Sequence, residues 1–256
     1  MDGLNEILAS VLRELDGAQM AFLLAATIFG AVFRAYAGFG SGLFLVPTYS
    51  LFLSPAKAIV LVTLLNLPTT AQILPRVWRE VPWRRVAALN ITAAATIPLG
   101  VMILLRIDGD ALTRAIGVLV IALSVLLLSG WRYRGPQALP QDIAIGATAG
   151  LFSGSTGMGG PPIVLYFLSA SIVTRVVRAA FIVSFFFITV VTFSSLLSVG
   201  LVTRPDVLRF LILLPAYAFG TWLGSALFQR TKDHDDLFRK IALCALMVVG
   251  IVAAAS

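Results

Sequence analysis

Uncharged apolar runs of about membrane-spanning length constrain this chain more than any other feature. A charge at the bilayer centre costs roughly 2.5–3.5 kcal/mol or more, so stretches that lack one mark candidate spans. Ala58–Pro75, Val86–Leu105, Ala115–Trp131, Ala179–Thr203, Phe210–Gln229 and Ile241–Ser256 are such stretches. Each is near the roughly 20 residues that a spanning helix needs. Two further regions fit one span badly. Ile143–Thr174 runs 32 residues without a charge, and Met20–Ala56 has the same character apart from Arg34. Each reads as two segments joined at a glycine-rich break, which gives ten hydrophobic segments, five per half.

The two breaks are related. The first reads Phe33-Arg34-Ala35-Tyr36-Ala37-Gly38-Phe39-Gly40-Ser41-Gly42, the second Phe152-Ser153-Gly154-Ser155-Thr156-Gly157-Met158-Gly159-Gly160-Pro161. One offset of 119 residues aligns Phe33 with Phe152, Gly38 with Gly157 and Gly40 with Gly159. Interruptions at matching positions of two halves point to the binding site of a transporter. A broken helix exposes backbone N–H groups, and these attract anions.

Composition excludes the alternatives. The chain is 59% hydrophobic and 12% charged, about half the charge of an ordinary soluble domain. Its net charge of +7 is explained by basic membrane loops rather than by nucleic-acid binding. Placing Pro75–Arg85, Trp131–Asp142, Arg175–Arg178 and Arg230–Lys240 on one side collects twelve of the nineteen Lys and Arg residues there. That side is predicted to be cytoplasmic, leaving both termini outside an inner (plasma) membrane. An odd number of segments per half then makes the second half enter inverted. The expected fold is all-α and polytopic, with two inverted five-segment repeats and about 8–10 crossings, since the glycine segments could be re-entrant. Residues 1–18 read as an amphipathic surface helix, 19–130 as the first repeat, 131–141 as a linker and 142–256 as the second repeat.

At these residues the chain resembles the TauE/SafE family, also called the sulfite exporter or toluene-sulfonate uptake permease family. The resemblance rests on the duplicated Gly38–Gly42 and Gly157–Pro161 motifs, on Val46-Pro47, and on the later small-residue segments Pro98-Leu99-Gly100 and Gly220-Thr221-Trp222-Leu223-Gly224. It covers nearly the whole chain. It implies a transporter of sulfur-containing anions such as sulfite, sulfonates and sulfoacetate-like compounds. Arg34 and Tyr36 depart from a plain small-residue motif.

The substrate-binding candidates surround the breaks. Arg34 lies within an apolar segment, and its guanidinium matches a sulfonate or carboxylate. It could instead snorkel to the interface. Gly38, Gly40, Gly42, Gly157, Gly159 and Gly160 let backbone approach a ligand, or let helices pack closely. Ser41, Ser153, Ser155 and Thr156 offer hydroxyls that replace anion hydration without a fixed charge. Asn66 could contact substrate or satisfy a carbonyl freed by Pro68. Lys57 and Arg178 could form electrostatic funnels or interface anchors. Tyr36, Tyr166 and Tyr217 could donate in a pore or simply pack. All twelve acidic residues fall outside the apolar runs, so no intramembrane proton relay is visible. One cysteine and one histidine imply no catalytic set, no metal and no cofactor. The expected partners are a small anion, with a proton moving as part of the substrate if sulfite travels as bisulfite, and the bilayer. A homodimer is compatible with so small a chain. Uptake of organic anions, a channel-like path, a membrane enzyme and a non-transporting assembly partner are the competing functions.

Overall fold

The computed structural model describes residues 17–37, 40–129, 133, 135, 138–167, 174–230 and 235–255. The surface helix expected over residues 1–18 lies almost wholly outside these, as do Gly38, Trp131, most of the 131–141 linker and His234; the Tyr36 side chain is also outside the description. Among the described residues there are ten α-helices and no strand. This is what lipid demands, because a helix satisfies its own backbone groups. In chain order they are α1 (Gly17–Ala37), α2 (Ser41–Ser50), α3 (Pro55–Val77), α4 (Trp83–Arg106), α5 (Gly109–Leu128), α6 (Leu139–Thr156), α7 (Gly160–Phe167), α8 (Thr174–Ser198), α9 (Arg204–Arg230) and α10 (Asp235–Ala255). A single 3₁₀ turn, Trp78–Glu80, follows α3. Six of them, α1, α3, α4, α5, α8 and α9, are long and apolar enough to cross a membrane. Several begin a turn before the uncharged runs. Pro55 occupies the first turn of α3, where its missing N–H costs nothing, and the Asp108 carboxylate caps α5 by accepting from Asp110 N–H at 3.2 Å.

The glycine breaks turn the chain back on itself. Phe22 stacks on Phe52 at 5.3 Å, Phe29 on Phe44 at 4.8 Å, and the hydroxyls of Thr27 and Tyr49 lie 2.6 Å apart. These pairings run in opposite chain directions, so α1 and α2 form an antiparallel hairpin. Likewise the Tyr166 hydroxyl, near the end of α7, donates to Asp142 Oδ1 in the first turn of α6 at 2.5 Å. At 10 and 8 residues, α2 and α7 are only about 15 and 12 Å long, less than half to half of a hydrocarbon core of about 30 Å.

Close backbone approach joins the two halves of the chain. On α6, Gly146, Gly150 and Gly154 face the α4 carbonyls of Leu89, Ala93 and Ile97 in the same order, so these helices run parallel. On α9, Gly220 and Gly224 face the α1 carbonyls of Ile28 and Val32 in the same way. Helices α5 and α10 pack together through Gly117 and Gly250, and α3 packs on α8. The small-residue segments around Gly100 and Gly220–Gly224 are therefore packing seams of the kind membranes favour. A Cβ at Gly150 would strike the Ala93 carbonyl and the Thr96 hydroxyl. Gly150→Val is expected to cost about 1–3 kcal/mol or more by overpacking, whereas Thr148→Val on the exposed face of the same helix should cost far less. Thermal unfolding in detergent reads the difference; equal midpoints for both variants and wild type would refute the seam.

One end of the bundle carries a buried ion cluster. Lys57 Nζ at the start of α3 donates to Asp206 Oδ2 at 2.6 Å, and Thr203 supplies its N–H at 2.9 Å and its hydroxyl at 2.6 Å. Arg209 donates to Asp206 Oδ1 at 3.2 Å. Asp206 is fully buried and Asp142 nearly so. The sequence places both acids beyond the apolar runs, and so they are, but each sits in the first turn of its helix, where hydroxyl, amide or cationic donors and the helix dipole hold a carboxylate. Lys57 is thus an ion-pair partner that ties α3 to α9. Trp78 and Trp83, edge to face at 4.5 Å and both exposed, lie at the opposite end of α3, as interfacial tryptophans do.

Candidate functional site

The two breaks meet in the interior. A Cβ on Gly42 would come within 2.8 Å of the Gly157 carbonyl oxygen, so the start of α2 rests on the end of α6. Gly157 has φ +69° and Gly40 φ +96°, a left-handed conformation that side chains resist. At Gly157 this ends α6. Its N–H donates to Ser153 O at 3.0 Å, and the Met158 N–H to Phe152 O at 3.3 Å, which wraps the last carbonyls of the helix.

Beside this junction is a cavity of about 30 Å³, room for roughly two water-sized groups. Helix α3 contributes Thr63 and Asn66 to its wall, α6 and the break contribute Ser153, Gly157, Gly159 and Gly160, α7 contributes Ile163, and α8 contributes Phe185, Ile188, Thr189 and Thr192. Among the described residues no charged side chain lines it. The hydroxyls of Ser153 and Thr192, both on its wall, lie 2.8 Å apart. The N–H groups of Gly159 and Gly160 make no hydrogen bond with a described residue, and Gly160 opens α7, where the helix dipole is positive.

Asn66 is the best-defined polar group on the wall. Its Oδ1 accepts from the Ser41 hydroxyl at 2.9 Å and from the Tyr217 hydroxyl at 2.7 Å. With the oxygen doubly occupied, the Nδ2 hydrogens are the amide's remaining capacity. Its side-chain oxygen is engaged by Ser41 and Tyr217, and the Asn66 backbone carbonyl accepts from the Thr69 and Thr70 hydroxyls at 3.1 and 2.8 Å. Arg34 stands behind this group. It donates to Thr69 Oγ1, to Thr70 Oγ1 and, at 3.0 Å, to the Tyr217 hydroxyl. All three acceptors are hydroxyls, and no carboxylate among the described residues pairs with it.

Of the twelve residues expected at the site, Asn66, Ser153, Gly157, Gly159 and Gly160 line the cavity. Ser41 and Gly42 adjoin it through Asn66 and Gly157. Arg34 is half-buried but off the wall, neither snorkelled away nor in the cavity. Gly40 packs on the Phe33 ring. Ser155 and Thr156 turn their hydroxyls to the carbonyls of Leu151 and Phe152, at 2.7 and 2.8 Å within α6. Sequence reasoning missed the Thr63, Thr189 and Thr192 hydroxyls. Their signal was a helical one: Phe185, Ile188, Thr189 and Thr192 recur at spacings of three and four and share a face of α8.

The profile of the sulfite exporter TauE/SafE family matches residues 22–253. A Cupriavidus necator protein named "Probable sulfite/organosulfonate exporter TauE" is 29% identical over 166 residues, covering 61% of this chain and 63% of the relative. The match thus spans a little under two thirds of that relative's length. No solved structure matches the chain.

Proposed function

Because the chain belongs to the sulfite exporter TauE/SafE family, we propose that it carries small sulfur-containing oxyanions across the inner membrane, outward, through the cavity between its two glycine breaks. The observation that carries this reading is the cavity's chemistry. Among the described residues it offers the Asn66 amide, hydroxyls and the backbone N–H groups of Gly159 and Gly160, which no described residue accepts from, and no carboxylate. Such donors replace anion hydration, and without a contacting cation they release the cargo readily. Arg34, which pairs with no carboxylate among the described residues, adds a positive potential.

The two halves act as inverted repeats in this reading. Support comes from helix bounds: α1 and α6 end, and α2 and α7 as well as α3 and α8 begin, at positions 119 residues apart. The parallel packing of α4 with α6 and of α1 with α9 is also what exchange of two oppositely inserted halves requires. Rocking of one half against the other would alternate access to the cavity, with both chain termini outside the cytoplasm. A potential of about 100 mV, inside negative, drives a monoanion outward with about 2.3 kcal/mol, roughly a 50-fold bias.

The test is efflux from proteoliposomes loaded with sulfite, isethionate, sulfoacetate or sulfate, at zero and at imposed potential. Saturable efflux of one or more sulfur anions, accelerated by an inside-negative potential, is the expected result. Folded protein that moves none of them would refute the proposal and favour a structural role.

A further inference from the structure

Whether an anion would meet a donor or an acceptor at Asn66 depends on which way that amide points, and its oxygen is held from outside the cavity. Asn66 can present either Oδ1 or Nδ2 to the cavity, and only Nδ2 suits an anion. Its Oδ1 is held by two hydroxyl donors, Ser41 and Tyr217. A tyrosine hydroxyl has one proton and two acceptor sites. Arg34 donates to the Tyr217 oxygen at 3.0 Å, so the phenol meets the guanidinium as an acceptor and has its proton free for Asn66. Donation into the phenol oxygen also polarises the O–H and strengthens the next bond in the chain. Tyr217 is wholly buried, so no water competes for that proton.

We propose that Arg34 and Tyr217 are positioning residues for anion binding: Arg34 sets Tyr217 as a donor, Tyr217 holds Asn66 Oδ1, and the Asn66 amide thereby offers its NH2 to the anion. This rests on the reading of the cavity as the anion site. The comparison of the halves supports it independently. At the 119-residue offset, Arg34 corresponds to Ser153, Asn66 to Phe185, Thr69 to Ile188 and Thr70 to Thr189. Those four counterparts all line the cavity. In the place that the second half leaves open, the first half therefore sets a guanidinium and its acceptors Thr69 and Thr70, with Tyr217 of the second half as the third hydroxyl. The chain has one anion site, set to one side of the pseudo-symmetry, and Arg34 belongs to its support.

The experiment is a double-mutant cycle on full-length protein in liposomes, reading KM and maximal rate for sulfite efflux. Tyr217→Phe should raise KM about tenfold, the scale of one lost hydrogen bond to an oriented donor, with the maximal rate changed less than about twofold. Asn66→Ala should raise KM by at least as much, and the double variant no further than Asn66→Ala alone. Arg34→Met should behave like Tyr217→Phe, and Arg34→Lys, which keeps three donors, should recover most of the loss; this second arm serves if Tyr217→Phe does not fold. Additive effects of Tyr217→Phe and Asn66→Ala, or an unchanged KM in both Tyr217→Phe and Arg34→Met, would overturn the proposal while leaving the cavity reading intact. An unchanged KM in Asn66→Ala would overturn the cavity reading itself, and this proposal with it.

Discussion

Asp206→Ala is expected to destabilise the protein by about 3–5 kcal/mol, the usual loss when one member of a buried ion cluster is removed. The carboxylate is fully buried and takes donors from Lys57, Arg209 and both the N–H and hydroxyl of Thr203. Its removal takes from the Arg209 guanidinium, 7% exposed, the carboxylate oxygen it meets at 3.2 Å. It also releases the start of α3 from the start of α9, a joint between residues 149 positions apart. Replacing the Lys57–Asp206 pair together, Lys57→Met with Asp206→Leu, should restore much of the stability, because the lysine then leaves no charge facing an apolar side chain. Thermal unfolding in detergent separates the cases. An Asp206→Ala variant that melts with wild type would mean the cluster is hydrated and energetically minor.

This cluster also marks a limit of what the sequence discloses. Asp206 stands at the edge of an apolar run, where an acid is ordinarily solvated, and only the fold brings Lys57 to it. The duplicated glycine breaks were legible because their cause is local: a left-handed residue such as Gly157 and a helix start such as Gly160 need particular residues at particular positions. The same offset that aligns the motifs also aligns the end of α1 with that of α6 and the start of α3 with that of α8. The hairpins were not legible. An uncharged stretch such as Ile143–Thr174 has the same composition whether its second part continues onward or folds back, and the Tyr166–Asp142 bond shows that α7 folds back along α6. The cavity was half legible. Ser153, Gly157, Gly159 and Gly160 belong to the motif that announces it. Thr189 and Thr192 sit in an apolar span where hydroxyls commonly bond their own helix, as Thr189 does to Phe185 O at 2.7 Å. The hydrogen bond between Asn66 and Tyr217 was hidden by separation in the chain, since the two residues lie 151 positions apart.

Asn66→Asp is expected to abolish efflux of sulfur anions while leaving the fold intact. The substitution is isosteric, and one carboxylate oxygen can keep the Ser41 and Tyr217 donors that Oδ1 now holds. The second oxygen replaces Nδ2 at the cavity wall. An anion entering there would lose two donors and meet a like charge at contact. Two unit charges about 4 Å apart repel by about 4 kcal/mol at an effective dielectric constant near 20, roughly a thousandfold in affinity. Arg34 does not cancel this, because its guanidinium lies on the far side of Tyr217 and is already committed to three hydroxyls. Sulfite efflux should therefore fall below one hundredth of wild type in protein whose melting temperature is little changed. Asn66→Gln, which keeps the amide but lengthens its stem, should lose activity less completely. Efflux by Asn66→Asp within tenfold of wild type would show that the anion passes elsewhere, and the cavity at the meeting of the two breaks would then be a packing defect beside the true path.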